Sequence, residues 1–446
     1  MTRKKNFDSK KLDEEENNML GISLFSSGGI GDLALKKAGV EVILANELIE
    51  ERVSVFKKNY PNCFVVNDDI WKAKDEIIKV TKNLLNGKKL DFILATPPCQ
   101  GMSKNGRGKL LNSIRKGEKG KFDKRNQLVI PVIDIALSLR PEVLIMENVP
   151  EMKNTLIPVN NDVMTILEYI KMKLEPMYSG YYEVIEFADY GVPQRRKRLI
   201  TVFTKNKNLN KYLKINNTIF PIPTHSQFFS EGKNQWITLQ KTLAGIPKLD
   251  AKNKELSQHK TLKYHRVPIL KDDKYFWVKN TPLNKSAFDN QCINKECGFL
   301  ENPTHKSIKN KLGINKSSME TPIFCKKCNS LLPRPWVKES DSYRIMKGFT
   351  SAYKRMNLDL PSNTLTQNLS YACSDTKIHP TENRVLSLYE AMKIHTIDQF
   401  SYQWEREDKK KVSDKLIREI IGESVPPFGF YIIIDFIIRI MQDKKL

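Results

Sequence analysis

Short apolar segments alternate with helical segments through the first half of the chain, and this alternation constrains the fold more than any other feature. The apolar segments have the composition of buried strands and cover residues 21–25, 40–47, 90–96, 141–149 and 197–203. Helical patterns separate them at residues 31–39, 50–60 and about 127–139. This order predicts an α/β fold with a doubly wound, mostly parallel sheet covered on both faces. Such sheets bind ligands at the carboxyl ends of their strands, so we expect the functional site at that edge.

The first predicted strands end in residues that suit a nucleotide-like ligand. Gly28, Gly29 and Gly31 follow the first strand and permit a tight turn with close approach of a ligand to the backbone. Glu47 ends the second strand, where a carboxylate can accept hydrogen bonds from ribose hydroxyls, and Asp69 lies near the edge of the next strand. The glycine turn lacks the GxGxxG spacing that cradles phosphates. It therefore favours an adenosine cofactor without phosphates, such as S-adenosylmethionine.

A cysteine follows the strand at 90–96 directly after two prolines. Pro97 and Pro98 cannot continue a strand ladder, so they predict a rigid turn that presents Cys99 at the ligand edge. A lone cysteine is usually a small buried hydrophobic residue, but this position favours a nucleophile. Because no histidine lies near these motifs in the sequence, we expect chemistry that does not depend on an imidazole base.

Charged residues mark the ends of two further strands. Glu147 emerges from a buried strand, where a carboxylate is costly unless it has a function or an arginine partner. The basic run QRRKR at 194–198 leads directly into the last predicted strand. Such runs are usually solvated, but this one is expected at the rim of the sheet.

The order of PPCQG, ENV and QRRKR along the chain resembles the cytosine-5 DNA methyltransferases, over residues 20–203 and roughly 361–441. The resemblance implies the fold of S-adenosylmethionine-dependent methyltransferases and methyl transfer to carbon 5 of a cytosine flipped out of double-stranded DNA. It implies that Cys99 is the nucleophile and that Glu147 hydrogen-bonds and protonates the base. Arg196 and Arg198 would support the base and the flanking backbone.

The same resemblance assigns residues to the cofactor. Phe25 would stack on the adenine, Glu47 would hold the ribose, and Asp69 with Ile70 would contact the adenine edge. The full set of implied cofactor contacts is Phe25, Ser26, Gly29, Glu47, Asp69, Ile70, Pro97, Glu423 and Ser424. The chain departs from the family pattern at this site: Ser27 and Ile30 occupy positions that are usually glycine, and Glu423 stands where asparagine is usual.

Positive charge is concentrated in the middle of the chain. Residues 204–354 contain 28 Lys and Arg against 11 Asp and Glu, so 17 of the 23 net positive charges fall in about a third of the sequence. This uneven distribution favours a dedicated surface for a polyanion, most often nucleic acid, over general solubility. In the resembling family this segment is the target-recognition domain.

We therefore predict four segments: a polar tail at 1–18, a catalytic and cofactor-binding domain at 19–203, a DNA-binding target-recognition domain at 204–354, and a C-terminal segment at 355–446 that returns to the catalytic domain. The basic, glycine-rich stretch at 101–121 is predicted to be a loop that closes over the DNA.

Helices are predicted in the C-terminal segment at 382–394 and 412–421. The apolar run at 428–441 is predicted to be a buried helix or strand, too short to span a bilayer.

Four cysteines form two pairs within the basic segment. Their spacing, with four residues between Cys292 and Cys297 and two between Cys325 and Cys328, resembles the two halves of a zinc ribbon. Four thiolates suit a structural zinc ion with tetrahedral geometry. Ordinary free cysteines, or disulfides in an oxidising setting, are the alternatives.

The remaining expectations concern location and partners. The first eighteen residues have no apolar core typical of a signal peptide, and the cysteine usage favours a reducing compartment, so we expect a cytoplasmic protein without a membrane partner. The resemblance also allows a monomer with a companion restriction endonuclease acting on the same DNA site. Methylation of cytosine in transfer RNA, and a catalytically idle DNA-binding protein, are the alternative functions.

Overall fold

A computed structural model of the protein describes residues 19–98, 123–159, 162–228, 230–305, 307–309, 315–317, 321–346 and 351–444. Three predictions concern residues outside these ranges: the polar tail, the nucleophile Cys99 and the basic glycine-rich loop at 101–121.

Seven strands form a central sheet. They are β1 (Met19–Leu24), β2 (Val40–Asn46), β3 (Phe64–Val66), β4 (Phe92–Ala95), β5 (Val143–Asn148), β8 (Ser179–Glu186) and β10 (Lys197–Thr204). Their order in the sheet is β3-β2-β1-β4-β5-β10-β8. Strands β1 to β5 are parallel to one another, and β10 is antiparallel to both β5 and β8. The predicted mostly parallel α/β sheet is confirmed.

The remaining described strands form short pairs: β6 (Leu156–Val159) with β7 (Asp162–Thr165), β9 (Gln194–Arg195) with β17 (Ser362–Asn363), β11 (His225–Ser226) with β12 (Asn234–Gln235), β13 (Ser307–Lys309) with β14 (Asn315–Ser317), and β15 (Trp336–Lys338) with β16 (Tyr343–Ile345). The pair β9 and β17 is parallel and joins the QRRKR run to a segment that follows the basic middle of the chain.

The described α-helices are α1 (Asp32–Lys37), α2 (Glu50–Asn59), α3 (Ile70–Leu85), α4 (Val129–Leu139), α5 (Ile166–Leu174), α6 (Lys207–Asn216), α7 (Leu239–Leu243), α8 (Asp272–Lys279), α9 (Leu388–Ile394), α10 (Asp414–Glu423) and α11 (Pro427–Gln442). Short 3₁₀ helices cover Lys124–Leu128, Pro150–Asn154, Phe187–Tyr190, Ala287–Asp289 and Ile397–Gln399.

The apolar strands lie between two helical layers, which explains their composition. In β4, Phe92 and Leu94 pack into one core while Ile93 and Ala95 pack into the other. Helices α3, α4 and α5 cover one face of the sheet, and α1, α6 and α11 cover the other. The chain order reverses between β1 and β4, and open sheets of this type bind ligands in the crevice at such a reversal.

Several elements differ from the sequence prediction. Helix α3 and strand β8 were not predicted. The helix expected from residue 382 begins only at Leu388, because Ser387 caps it: the Ser387 hydroxyl accepts from the Glu390 N–H, and the Glu390 carboxylate accepts from the Ser387 N–H. The run at 428–441 is a helix rather than a strand.

Helix α11 packs against α1 and α6 in the core of the protein. By length and composition alone, the stretch Asp414–Gln442 could cross a membrane, but 61% of its most apolar window is buried inside the protein. Burial of Ile433, Ile434 and Ile437 accounts for the apolar composition of α11.

A separate apolar cluster surrounds Trp277 in the middle segment. Trp277 makes edge-to-face contacts with Trp336 and Tyr353, at centroid distances of 5.4 and 5.5 Å. This cluster also includes Ile378 and Val385, which lie after the end of the predicted middle domain. Helix α6 lies within that predicted domain, but it packs on α11 in the core beneath the central sheet. The packing therefore crosses both predicted boundaries, and the extent of a DNA-binding segment stays a prediction.

Candidate active site at the carboxyl edge of the sheet

The turn after β1 has an unusual backbone conformation that explains its glycines. Gly29 has φ +82°, and a Cβ there would lie 2.5 Å from the ring of Tyr60. Ser27 has φ +50°, a left-handed conformation that costs about 1–2 kcal/mol for a residue with a side chain. The glycine usual at position 27 in the resembling family fits this conformation better. Among the described residues, the buried Ser27 hydroxyl has no hydrogen-bond partner.

Two further contacts fix this turn. The Ser26 N–H donates to the Asn46 carbonyl at 3.0 Å, which joins the ends of β1 and β2. The Thr96 hydroxyl donates to the Phe25 carbonyl at 3.0 Å, which joins the ends of β1 and β4. Phe25 is partly buried and packs against the core. These bonds place the predicted adenine-stacking residue at the reversal point of the sheet.

Glu47 is held at the end of β2 by backbone donors. Its Oε2 accepts from the Ser27 N–H and its Oε1 accepts from the Ile49 N–H, both at 2.8 Å. Burial raises the pKa of Glu47, while these N–H groups and Arg52 oppose the rise. A carboxylate has about four acceptor positions, so roughly two remain for ligand hydroxyls. The geometry fits the predicted ribose contact.

The end of β3 is built in a similar way. Asp69 caps α3 by accepting from the Trp71 N–H at 2.9 Å, and the Asn46 side chain donates to the carbonyls of Val66 and Asp68. Ile70 is almost fully buried in the core. Asp69 therefore has a structural task besides its predicted adenine contact, and in this structure Ile70 serves the core.

Helix α10 packs against the turn after β1. The hydroxyl of Tyr402 donates to the Gly28 carbonyl, and a Cβ at Gly28 would lie 2.9 Å from Ile420 of α10. Glu423, the last residue of α10, forms an ion pair of 2.8 Å with Arg52 of α2. Sequence reasoning missed Arg52, because neither spacing nor composition marks it.

The end of β5 lies beside the turn that precedes Cys99. The Asn148 side chain donates to the Pro97 carbonyl at 3.1 Å, which joins ENV to PPCQG. Leu199 of the antiparallel strand β10 is opposite Asn148, so the start of β10 reaches the end of β5. The structure thus brings Pro97, Glu147 and Arg198 to one edge.

Glu147 and Arg198 form a largely buried ion pair. The Nε of Arg198 lies 2.7 Å from Oε1 of Glu147, and the two side chains are 13% and 8% exposed. Burial raises the pKa of Glu147, while Arg198 and then Arg196 oppose the rise. Desolvation outweighs the ion pair, so this carboxyl group binds a proton more readily than an exposed glutamate.

Arg196 is fully buried and joins segments that are distant in sequence. Its terminal nitrogens donate to the carbonyls of Leu365, at 2.8 Å, and Gly422, at 3.0 Å. A Cβ at Gly422 would lie 2.1 Å from the backbone nitrogen of Gln367, so this approach requires glycine. These contacts identify Arg196 as a residue that positions α10 beside β9.

A buried hydrogen-bond chain makes a second connection between the same elements. The Gln194 Oε1 accepts from the Leu365 N–H, so its amide nitrogen faces His395 Nδ1 at 3.0 Å. His395 Nε2 is then the donor to the Ser424 hydroxyl at 2.9 Å. Burial, then Arg196 and Arg198, hold the pKa of His395 well below its ordinary value, so it stays neutral. Neither spacing nor composition marks His395 for this role.

The four predicted zinc ligands also converge. Their sulfur atoms all lie within 4.8 Å of one another, with 3.6 Å between Cys292 and Cys328 and 3.8 Å between Cys297 and Cys325. Each pair is followed by a residue with positive φ, at Gly298 and Asn329. The arrangement consists of two tight turns whose thiols face each other.

The sequence matches the C-5 cytosine-specific DNA methylase family over residues 19–439. The chain belongs to this family. The predicted resemblance is confirmed, and the protein is a DNA (cytosine-5-)-methyltransferase that depends on S-adenosylmethionine.

Relatives of this methyltransferase match along most of its length. The type II methyltransferase M1.HgaI of Avibacterium volantium is 29% identical over 419 residues, which cover 92% of this chain and 95% of the relative. The type II methyltransferase M.HhaI of Haemophilus parahaemolyticus is 23% identical, with 80% of this chain and 95% of the relative covered. The structure of the Entamoeba histolytica methyltransferase EhMeth has a TM-score of 0.51 at 14% identity, covers 96% of this chain and 100% of its own, and shows the shared fold.

Proposed function

We propose that this methyltransferase modifies carbon 5 of a cytosine flipped out of a specific double-stranded DNA sequence, through a covalent adduct with Cys99. The observation that carries the proposal is the buried Glu147–Arg198 pair, beside the turn that leads to Cys99. A buried carboxyl group with a raised pKa is suited to hydrogen-bond and protonate a base ring.

The reaction balances with these groups. The Cys99 thiolate adds to carbon 6 of cytosine while Glu147 delivers a proton to the ring nitrogen, which leaves carbon 5 nucleophilic. S-adenosylmethionine supplies an electrophilic methyl group on its sulfonium. Transfer of the methyl group releases S-adenosylhomocysteine. A water molecule then takes the carbon 5 proton, elimination breaks the bond between carbon 6 and sulfur to release the thiolate, and the ring nitrogen returns its proton to Glu147. Glu147 stabilises the charge that develops on the ring, an electrostatic contribution that needs a preorganised group.

The ends of β1 to β3 are the proposed cofactor site. Glu47 retains acceptor capacity for ribose hydroxyls, and the unpartnered Ser27 hydroxyl lies on the same turn. Phe25, Ser26, Gly29, Asp69, Ile70, Pro97, Glu423 and Ser424 complete the proposed set of contacts. The neutral His395 fixes Ser424, and Arg196 fixes the carbonyl of the adjacent Gly422.

Trapping with a modified base tests the proposal. Duplex DNA containing 5-fluorocytosine has no carbon 5 proton to lose, so it should form a stable adduct at Cys99 when S-adenosylmethionine is present. Peptide mapping by mass spectrometry identifies the modified residue. An adduct elsewhere, or incorporation of labelled methyl groups into transfer RNA but not into duplex DNA, contradicts it. Bisulfite sequencing of DNA from expressing cells then gives the target sequence.

The cysteine cluster is proposed to bind one structural zinc ion within the DNA-recognition segment. Zn–S bonds of about 2.3 Å in a tetrahedron separate the sulfurs by about 3.8 Å. The distances of 3.6 and 3.8 Å between facing thiols agree with that value. Elemental analysis of purified protein should give about one zinc per chain, and a folded, active, metal-free protein contradicts the assignment.

The cellular setting is also a proposal. The relatives named above are called type II methyltransferases, which supports a role in a restriction-modification system with a companion endonuclease in the cytoplasm. We propose that the chain acts as a monomer, and sedimentation analysis with and without duplex DNA tests this. Expression of the chain should protect DNA from cleavage by the companion enzyme.

A further inference from the structure

The Arg52–Glu423 ion pair connects two elements that enclose the proposed cofactor site. Arg52 lies in α2, which begins three residues after Glu47, and Glu423 is the last residue of α10. The pair is 2.8 Å long, with side-chain exposures of 11% and 34%. The buried Nε of Arg52 has no partner among the described residues.

Both members of the pair act on the Glu47 carboxylate. Arg52 lowers the pKa of Glu47 and Glu423 raises it, although burial is the largest influence. Three ionisable groups therefore interact at the end of β2. Glu423 occupies a position where asparagine is usual in the family, so its negative charge is a feature of this chain. Arg52 supplies the positive charge that offsets it.

The net charge of this group distinguishes the methyl donor from its product. S-adenosylmethionine carries a sulfonium, an ammonium and a carboxylate, with a net charge of about +1. Loss of the methyl group removes the sulfonium charge and leaves a zwitterion that is neutral overall. Because Arg52 and Glu423 cancel, the negative charge of the site comes from the Glu47 and Asp69 carboxylates, and it attracts the positively charged donor more than the neutral product.

We propose that the Arg52–Glu423 ion pair sets the net charge of the cofactor site and thereby its preference for the methyl donor over the demethylated product. The inference rests on the proposed function, which places the cofactor beside Glu47. It makes Arg52 a positioning residue for Glu423 and a specificity-determining residue for the cofactor.

The two single variants have opposite expected effects. Glu423→Gln removes one negative charge and leaves Arg52 uncompensated, so the preference for the donor should fall by about three- to tenfold, given solvent screening at this distance. Arg52→Gln adds one net negative charge, so the preference should rise by a similar factor. The double variant restores the original net charge, and its preference should return close to that of the unmodified protein.

Isothermal titration calorimetry with S-adenosylmethionine and with S-adenosylhomocysteine measures both dissociation constants for each variant. Their ratio is the readout, because general damage to the fold weakens both ligands alike. The matched control is the exposed pair Arg344–Glu339 in the middle segment, whose neutralisation by Arg344→Gln or Glu339→Gln changes the protein charge away from the site. These controls should leave the ratio unchanged.

Two outcomes overturn the inference: a ratio that stays constant in all variants, or one that moves in the same direction in both single variants. If Arg52→Gln does not fold, Glu423→Gln and the double variant still decide between the outcomes. Glu47→Gln separates this inference from the proposed function. Unchanged affinity for both ligands in that variant shows that the cofactor binds elsewhere, whereas reduced affinity with constant ratios in the pair variants rejects the pair alone.

Discussion

The carboxyl edge of the sheet and the cysteine cluster both gather reactive groups, but different forces hold them in place. Glu147 lies on β5 and Glu47 directly follows β2, and the side chains of both strands enter two large apolar cores. Around the four sulfurs, the apolar support is Leu332 with Phe299 packed against it. The edge is therefore positioned by hydrophobic packing before any ligand binds, while the cluster lacks a core of its own. A metal cross-link is the stabilising element that its geometry fits.

The largest expected effect comes from removing the proposed nucleophile at the edge, a change that leaves the apolar cores and the cysteine cluster intact. Cys99→Ala should lower methyl transfer by roughly 10⁴-fold or more, because loss of a nucleophile disables the whole reaction sequence. DNA affinity, zinc content and thermal stability should stay close to those of the unmodified protein. Transfer of labelled methyl groups measures the loss, and substantial residual turnover contradicts the nucleophile assignment.

Glu147→Gln tests the proposed proton donor at the edge, which forms no covalent bond to the base itself. The amide keeps the size of the side chain but cannot donate a carboxyl proton to the ring, so single-turnover methylation should slow by roughly 10³-fold. Cofactor affinity, measured by calorimetry, should be unchanged. The matched control is Glu186→Gln, whose carboxylate accepts from the Arg196 N–H outside the proposed substrate contacts. Equal losses in both variants assign Glu147 to the fold.

The ion pair between Arg384 and Glu390 is buried and belongs to neither of the two regions. Both terminal nitrogens of Arg384 donate to the Glu390 carboxylate at 2.7 Å, in a site with almost no exposure. Glu390→Gln leaves the buried guanidinium with Glu382, 2.8 Å from its Nε, as the remaining counterion, and should lower the free energy of unfolding by about 3 kcal/mol. Chemical denaturation measures the change, and a loss below about 1 kcal/mol contradicts this account.

The same pair predicts a dependence on pH. Burial opposes ionisation of Glu390, but the hydrogen bonds and charge of Arg384 more than offset it and lower its pKa to about 2. The stabilisation is therefore fully present above the ordinary glutamate pKa of about 4.5 and is lost as the pH falls towards 2. The difference in unfolding free energy between the unmodified protein and Glu390→Gln should shrink over that interval.

The cysteine cluster should respond to loss of one ligand in a way that the edge does not. Cys325→Ser should abolish zinc binding and weaken DNA binding by about tenfold, because four ligands define the site. Affinity for S-adenosylmethionine should persist, since the edge has its own support. Cys373→Ser, at an exposed thiol outside the cluster, is the control. Parallel loss of cofactor binding in Cys325→Ser would show that the two regions depend on each other.

The smallest expected effect concerns the turn after β1. Ser27→Gly should raise the free energy of unfolding by about 1 kcal/mol or less, because glycine adopts a positive φ with little strain but loses more entropy on folding. Cofactor affinity should fall if the unpartnered hydroxyl contacts the ligand. Thermal unfolding and calorimetry separate the two effects.

The parts of the site that could be predicted follow local rules. Pro97 and Pro98 end an apolar strand, and Glu47 follows another, so both could be placed at the edge from sequence patterns alone. Arg52, His395 and Gly422 could not, because their tasks depend on partners that are distant in sequence: Glu423, Gln194 and Gln367. Pairing of this kind is set by tertiary packing, which a single sequence does not display.

The fold likewise has parts that sequence patterns predict and parts that they do not. The strands of the sheet were predictable because burial on both faces requires continuous apolar runs. Strand β8 was missed, since its residues are mostly half-buried and its sequence SGYYEVIE lacks such a run. The start of α9 was also misjudged, because a capping box at Ser387 and Glu390 decides it, and the apolar pattern begins earlier.

The parallel pairing of β9 with β17 has an evolutionary consequence. Ser362 lies opposite Gln194, so after the long basic segment the chain returns to the short strand that leads into β10. Under the proposed assignment of the basic segment to DNA recognition, changes between β10 and β17 alter which DNA is bound while Arg198 and the central sheet keep their places. A lineage can then acquire new target sequences without rebuilding its chemistry.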